Sequence, residues 1–484
     1  MHDFAKMTQL ILGPIVGGVN HSGAFLWGRA DGPGTLFAWL GRNPDLSDAY
    51  QAGASLPLAE ENGYAGVAPV QNLAENSRYY YALTLTNSLP VEPNDLFVDG
   101  SYPSFFTFPP PGKPESFSFA FGSCFRPMNA DSGQIFHAID RRRSTEDLRF
   151  ILLLGDQIYA DDYPTNGIGK IAMSLADYRG VYQYVWSRPA FKKMLLNLPA
   201  FMTLDDHEVD DDWRWTDPDR HEAYIPWWDR IKRLFEGRPI RERRIPTERV
   251  RHALQAYWEH QAMHARNFIA HLNIDNEGQY QLTETDPGSF AYTFEVGAAA
   301  FFVLDTRTMR VLGSGVKTIL GSGQWQALEE WLLRVNDTYP VKFLVSSSAI
   351  LFQMWLDIPK DRWNGFVSDR ERLFRFLAQN KIKGVHILTG DLHSAHAIHA
   401  EVKSSLGENI DLWEFCSTPF EQVANTLASK TRTRVSSKFL GTQECKFIVE
   451  QNNFGVVRVE FDAHGAAHTH FTVYDQGGNK LHQV

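Results

Sequence analysis

The chain has 484 residues, of which 43% are hydrophobic, and this size and composition predict a folded protein of two domains. Its formal net charge of -10 argues against a general nucleic-acid binder, because such proteins hold phosphate backbones with an excess of Lys and Arg. No stretch is apolar for long enough to predict a membrane helix, and three scattered cysteines do not make a disulfide framework.

The first residues, MHDFAKMTQLILGPIVGG, contain no basic n-region, no twin arginine and no small-residue cleavage site. As written, the chain is therefore expected in the cytoplasm. A periplasmic or secreted location is the alternative if a leader has been removed.

Residues 1–113 predict an antiparallel β-sandwich of the immunoglobulin or fibronectin type. Short alternating runs such as GAFLWGRA and YYYALTLTN are separated by clusters of Gly, Pro, Asn and Asp, which is how sandwich strands read. The proline cluster in PSFFTFPPPGKPES then breaks the pattern, so we expect the domain to end there. This sandwich carries no chemical motif, and we expect it to be a packing or positioning module.

Residues 114–484 predict an α/β domain, because short continuous apolar runs alternate with helix-like stretches such as QWQALEEWLLRV. Polar residues follow several of these runs directly. Ligands in open α/β folds bind beyond the carboxyl ends of the strands, so we expect these side chains to converge. They are Cys124, Asp156, Asp205, Asp206, His207, Asp391 and His393.

The segment from about residue 164 to residue 289 is rich in Trp, Tyr and Arg and is predicted to be an irregular insertion over the site. An ordinary satellite core is the alternative. The basic run from Arg230 to Arg251 in this segment is interpreted as a solvated helical face, and a positive rim that attracts anionic substrates is the alternative.

The motif GDQIY offers a carboxylate that could bridge two metal ions. Gly155 permits a tight turn, so Asp156 can project from the strand end. Tyr159 can return to the same side if the chain begins a helical turn, and a phenolate suits a trivalent ion. In GDLHS, Asp391 and His393 lie two residues apart and project to the same side of an extended chain.

The motif DDHE places two carboxylates and a histidine at the end of an apolar run, where they are costly unless something neutralises them. A metal ion is the predicted neutraliser, and a salt-bridged surface loop is the alternative. Asp206 is the preferred metal ligand and Asp205 a further candidate. His207 is expected to be a general acid or an oxyanion stabiliser, with metal ligation as the competing role.

The motifs GSC, GDQIY, DDHEV, LDTRTMR and GDLHS, in this order, resemble the alkaline phosphatase D (PhoD-like) family over essentially the whole chain. The resemblance implies an N-terminal β-sandwich followed by a calcineurin-like metallophosphoesterase domain of αββα layers. It also implies an Fe³⁺ ion held by Cys124, Asp156, Tyr159 and His393. A second ion would be bound by Asp156, Asp206 and Asp391, and this all-oxygen set suits Ca²⁺, with Mg²⁺ and Mn²⁺ as alternatives and Zn²⁺ less expected.

The predicted activity is hydrolysis of small-molecule phosphate monoesters and diesters by a hydroxide that two metal ions activate. Asp156 and His207 are the predicted catalytic residues. Arg126, Arg214 and Asp212 are candidate substrate contacts, and a structural salt bridge is the alternative for either arginine. A metallohydrolase of non-phosphate esters and a catalytically inactive binding protein are the rival functions. The residues indicate nothing about the oligomeric state.

Overall fold

The structure is a computed structural model, and it describes residues 8–89, 96–97, 100–129, 132–211, 213, 221–222, 228, 231–232, 235, 244–270, 272, 274, 288–311, 317–354, 362–403, 409–430 and 434–484. Among these residues, no helix is both long enough and apolar enough to cross a membrane.

Seven strands form the N-terminal part of the fold. They are β1 Leu10–Gly17, β2 Gly23–Ala30, β3 Phe37–Gly41, β4 Tyr50–Ala54, β5 Ala65–Gln71, β6 Arg78–Thr84 and β7 Ser104–Phe106. One antiparallel sheet has the order β1-β2-β5 and the other has the order β4-β3-β6-β7. Leu26 and Ala38 are fully buried, as expected where two sheets pack face to face. The predicted antiparallel sandwich is therefore confirmed.

The rest of the described chain contains fifteen strands and six α-helices. The strands are β8 Phe117–Gly122, β9 Leu148–Leu153, β10 Ala200–Met202, β11 His221–Glu222, β12 Arg244–Ile245, β13 Tyr292–Val296, β14 Ala299–Val303, β15 Val341–Val345, β16 Val385–Thr389, β17 Ala395–Val402, β18 Ile410–Cys416, β19 Leu440–Val449, β20 Asn453–Phe461, β21 Ala467–Asp475 and β22 Lys480–Gln483. The helices are α1 Gln134–Thr145, α2 Leu175–Trp186, α3 Pro189–Asn197, α4 Thr247–Tyr257, α5 Gly321–Asn336 and α6 Val367–Asn380.

Two large sheets pack against each other in the centre. The first has the order β10-β9-β8-β20-β21-β22, and the second has the order β13-β14-β15-β16-β18-β17-β19. Aromatic rings from both sheets fill the space between them. The Phe119 ring lies 5.6 Å from that of Phe301 and 5.4 Å from that of Phe343. Helices cover the outer faces; for example, Trp325 of α5 belongs to the same buried cluster as Phe302 of β14. This is the predicted αββα arrangement.

Strands β8, β9 and β10 are parallel, and so are β14, β15, β16 and β18. Their runs, such as FSFAFG and VKFLV, are buried along their whole length and mostly apolar, because both faces of each strand are covered. Parallel strands present their carboxyl ends at one edge of a sheet. The loops that follow β8, β9, β10 and β16 carry the predicted ligands.

The segment 164–289 differs from the prediction of an irregular insertion. Helices α2 and α3 and strand β10 lie in its first part, and β10 pairs with β9 in the first large sheet. The helix-start signals explain the difference: Ser174 and Asp177 form a capping box before α2, and Pro189 is at the first turn of α3. Most of 212–243 and 275–287 lies outside the described residues, including Trp215 and Trp227.

The predicted domain boundary at residue 113 lies between β7 and β8. Buried side chains on the two sides of it are continuous, however, because Leu12, Ile15 and Trp27 belong to the same cluster as Tyr182 and Tyr257. The boundary stays a prediction, and the sandwich packs directly against the helices beside the site.

Candidate metal centre

Candidate ligands from four loops converge at the carboxyl edges of the two large sheets. Cys124, Asp156 and His393 each offer an atom within 4.8 Å of the other two, and Asp156, Asp206 and His207 form a second such group. Asp156 belongs to both groups. The structure thus brings together side chains from the loops after β8, β9, β10 and β16.

The first group is organised around one oxygen of Asp156. Cys124 Sγ lies 3.3 Å from Asp156 Oδ2, and Tyr159 Oη lies 3.4 Å from the same oxygen. Tyr159 reaches this position although the chain does not begin the helical turn that we gave as the condition for it, since residues 155–158 are not helical. A thiol, a phenol, an imidazole and a carboxylate therefore face one point.

Four candidate ligands have a backbone conformation that is uncommon for residues other than glycine. The φ angles are 62° at Cys124, 52° at Asp156, 63° at Asp391 and 56° at His393. Each residue in this left-handed region costs about 1–2 kcal/mol, and such residues concentrate at functional sites. The chain thus turns sharply after each strand, which aims the side chain back over the end of the sheet.

Two glycines allow these loops to approach closely. A Cβ atom at Gly155, where φ is 94°, would lie 2.4 Å from Cβ of Asp205. A Cβ atom at Gly390 would lie 2.4 Å from Ser123 Oγ, the atom that accepts the N–H of Asp391 at 3.1 Å. Only glycine at these two positions lets neighbouring ligand loops touch.

Burial raises the pKa of Cys124, Asp156 and Tyr159 well above their ordinary values. The negative charge of Asp156 raises the pKa of Cys124 further, and Cys124 and Asp156 together raise that of Tyr159. A metal cation reverses this electrostatic balance, because it favours the deprotonated ligands. The donor set and its burial therefore fit a metal ion.

Asp205 and Asp391 are placed beside arginines. Asp205 Oδ1 accepts hydrogen bonds from Arg307 Nε at 2.5 Å and from Ser347 Oγ at 2.9 Å, and all three side chains are buried. Arg362 Nε donates to Asp391 Oδ2 at 2.8 Å. Neither Asp205 nor Asp391 is in the two compact groups of atoms. Their ligand roles stay predictions.

The His207 imidazole is held by Asp161 and Tyr159. Its Nδ1 lies 2.8 Å from Asp161 Oδ1, and its ring centroid lies 4.1 Å from that of Tyr159. Burial alone lowers the pKa of His207, but Asp161, Asp156 and Asp206 outweigh it and raise this pKa well above the ordinary value. Burial opposes the charged form of Asp161 as well, yet His207 holds the pKa of that carboxyl below its ordinary value. Asp161, which is not among the candidate ligands, is the largest of the causes that raise the pKa of His207.

Of the three candidate substrate contacts, Arg126 lies in the part of the chain that the structure describes. Arg126 pairs with Asp162 at 2.6 Å and donates to Gln422 Oε1 at 3.4 Å, which is the salt-bridge arrangement that we kept as an alternative. Asp212 and Arg214 lie outside the described residues.

The sequence reasoning missed four residues that contact the candidate ligands. Arg307 and Glu208 lie within the quoted motifs LDTRTMR and DDHEV, and Asp161 lies two residues after GDQIY, so a charged residue in or near a motif was the available signal. Arg362 has no such signal, because it lies 29 residues before its partner Asp391.

The chain is similar to known proteins in sequence and in fold. The sequence profile of the family described as PhoD-like phosphatase matches residues 119–471. The alkaline phosphatase D of Bacillus subtilis (strain 168) is 25% identical over 332 residues, which are 61% of this chain and 49% of that protein. The matched region therefore spans about half the length of this curated relative.

Two solved structures resemble the fold. A structure of PhoD covers 100% of this chain with a TM-score of 0.66 and 19% identity, and 94% of that chain is matched. A purple acid phosphatase, PPD1 from yellow lupin (Lupinus luteus) seeds, covers 97% of this chain and is matched over 73% of its own, with a TM-score of 0.56 and 12% identity. At these identities the likeness shows the fold alone.

Proposed function

Because this chain belongs to the PhoD-like phosphatase family, we propose that it is a metal-dependent phosphoesterase that hydrolyses small-molecule phosphate monoesters and diesters at the candidate metal centre. The observation that carries the proposal is the position of Asp156. It is shared by two compact groups of potential ligands, and one of its oxygens lies within 3.4 Å of both a thiol and a phenol. A carboxylate shared by two ligand groups could bind both ions of a two-metal site.

In this proposal Cys124, Asp156, Tyr159 and His393 hold Fe³⁺. Asp156, Asp206 and Asp391 hold a second, hard divalent ion, with Ca²⁺ first and Mg²⁺ or Mn²⁺ as alternatives. Asp205 is kept as a further ligand candidate, although its Oδ1 is occupied by Arg307 and Ser347. When bound, the two ions would polarise the phosphoryl oxygens and lower the pKa of a water molecule.

The chain's own residues supply the remaining chemistry. His207 donates a proton to the leaving alcohol, and Asp161 fixes the ring by its contact with Nδ1. Arg362, beside Asp391, is well placed to bind a phosphoryl oxygen with its guanidinium group. Arg126 is a weaker candidate because it is paired with Asp162. Asp212 and Arg214 remain candidates on sequence grounds.

The test is the metal content, visible absorbance and phosphoesterase activity of the purified protein beside those of Asp156→Asn and Tyr159→Phe. The expected result is close to one iron per chain and a visible band that changes in Tyr159→Phe. Tyr81→Phe is the matched control, because Tyr81 is equally buried but its hydroxyl donates to Leu196 O, away from the candidate ligands.

Protein without bound metal, and without activity on an aryl phosphate after iron and calcium are added, would contradict the proposal and favour the inactive binding protein. Metal-dependent hydrolysis of carboxylate esters without activity on phosphate esters would favour the non-phosphate metallohydrolase.

A further inference from the structure

The carboxylate of Glu208 lies beneath the candidate metal centre and is 1% exposed. Its Oε2 accepts the backbone N–H groups of Asp156 at 3.1 Å and Asp205 at 3.0 Å. Its Oε1 accepts the backbone N–H of Gln157 at 2.8 Å and the side-chain amide of Gln261 at 3.0 Å. Three of its four donors thus belong to two loops that carry candidate ligands.

These loops come from different strands and are joined by Glu208. The first follows β9 and carries Asp156, whose positive φ is an unfavourable backbone conformation. The second follows β10 and carries Asp205 and Asp206. Because the carboxylate of Glu208 accepts hydrogen bonds from both loops, it opposes their separation and holds Asp156 in its strained turn.

Gln261, the fourth donor, lies on an unusual and well-anchored element. Residues Trp258–Ala262 form a π-helical turn, which is rare in proteins and frequent near functional sites. Gln261 Nε2 also lies 2.9 Å from Tyr182 Oη, and the His260 ring stacks on that tyrosine with centroids 4.2 Å apart. Trp27 of the N-terminal sandwich donates to Glu259 O at 2.8 Å, so the sandwich contacts the same turn.

We propose that Glu208 is a positioning residue that sets the separation of Asp156 and Asp206 and thereby the affinity of the site for the second, divalent ion. The inference rests on the proposed two-metal function. Two of the four proposed iron ligands, Cys124 and His393, lie on loops that make no hydrogen bond to Glu208 among the described contacts, whereas Glu208 contacts both loops that carry Asp156 and Asp206. We therefore expect the loss of Glu208 to weaken divalent-ion binding more than iron binding. The N-terminal sandwich contributes indirectly, because Trp27 contacts the π-helical turn that carries Gln261, one of the donors to Glu208.

An acceptor-only group is required at this position. Glutamine has the same shape as glutamate, but its amide presents N–H donors to backbone N–H groups that need an acceptor. Glu208→Gln keeps one acceptor oxygen and replaces the other with a donor, so it disrupts the contacts on one side of the carboxylate with little change of volume. Gln261→Met removes only the side-chain donor and leaves the three backbone contacts in place.

The test is a titration of the iron-loaded protein with Ca²⁺, and with Mg²⁺ and Mn²⁺ in turn, followed by activity and by the rise in melting temperature. We expect Glu208→Gln to keep the iron content and the visible band and to need roughly 10-fold more divalent ion for half-maximal response, as mutations of residues behind metal ligands commonly do. Gln261→Met should shift the midpoint in the same direction but less, and it serves in place of Glu208→Gln if that variant does not fold.

The matched control is Glu414→Gln. Glu414 is also fully buried and accepts two backbone N–H groups, from Ile350 at 2.6 Å and Leu351 at 2.8 Å, in a loop without candidate ligands. Equal midpoints in Glu208→Gln and wild type, or an equal shift in Glu414→Gln, would overturn the inference. Failure of the wild type to bind metal would instead refute the proposed function.

Discussion

Replacing His207 with asparagine should slow the hydrolysis of alkyl phosphates much more than that of 4-nitrophenyl phosphate. Asp161 holds Nδ1 of His207 at 2.8 Å, which directs Nε2 away from Asp161. The side chain is 18% exposed, so a substrate can reach it. An alkoxide leaves poorly without a proton, whereas 4-nitrophenolate is stable as an anion and needs little help.

The expected loss follows from the role of a positioned general acid. Such a group contributes a factor of roughly 10²–10⁴ in rate, which corresponds to about 3–5 kcal/mol of transition-state stabilisation. We expect the upper part of this range for the alkyl ester, because Asp161 and the Tyr159 ring fix the imidazole on two sides. The loss for the nitrophenyl ester should be about 10-fold or less.

The assay measures kcat/KM for both esters with wild type, His207→Asn and Asp161→Asn, together with the metal content of each protein. Asp161→Asn keeps the imidazole but weakens its orientation, so it should show the same leaving-group preference with a smaller loss. Equal losses for both esters, accompanied by a loss of metal, would refute the general-acid role. That result would identify His207 as a ligand, the competing role that its place in the second group permits.

Two further predictions concern other parts of the molecule. Arg362→Ala should raise KM for phosphate esters and the inhibition constant of inorganic phosphate by about 10–100-fold, since a charge-assisted hydrogen bond contributes about 1.5–3 kcal/mol. An unchanged inhibition constant of phosphate would mean that Arg362 binds Asp391 and does not bind the substrate. Burial lowers the pKa of His264 to about 4, so the unfolded chain binds more protons than the native protein between that value and the ordinary 6.5. The free energy of unfolding should therefore fall by about 3 kcal/mol from this residue as the pH drops from about 6.5 to 4, and denaturant titrations of His264→Gln should lack that part of the decrease.

The fold was largely predictable because its signals are local. Alternating runs and turn residues indicated the N-terminal sandwich, and continuous apolar runs indicated the parallel strands of the two central sheets. The prediction was wrong for the start of segment 164–289, where we weighed the aromatic and arginine content above the helix-start signals, the cap at Ser174 and the proline at the first turn, Pro189. Composition is a weaker guide to secondary structure than capping residues and periodicity.

The ligand candidates were found from their positions after strands, but their supporting residues were not. Arg307 and Asp205 are separated by 102 residues, and Glu208 meets Asp156 only because β9 and β10 are neighbours in one sheet. Such partners are fixed by the packing of distant elements, so single-sequence patterns do not reveal them. The left-handed backbone at Cys124 and Asp391 is also invisible in the sequence, since neither residue is glycine.

Such distant partners give the adjacent residues Asp205 and Asp206 different surroundings. Asp205 is held by Arg307 and Ser347, so much of its charge is compensated inside the protein. Asp206 lies with Asp156 and His207, and its Oδ1 is 3.4 Å from Arg307 Nη2. Removing one partner of a buried ion pair commonly destabilises a protein by about 3–5 kcal/mol. We therefore expect the loop that carries Asp205 to depend on Arg307 for its folded conformation. An arginine that lies closer to Asp205 than to Asp206 leaves Asp206 as the stronger candidate for a cation, and Asp206 stays our first choice of ligand.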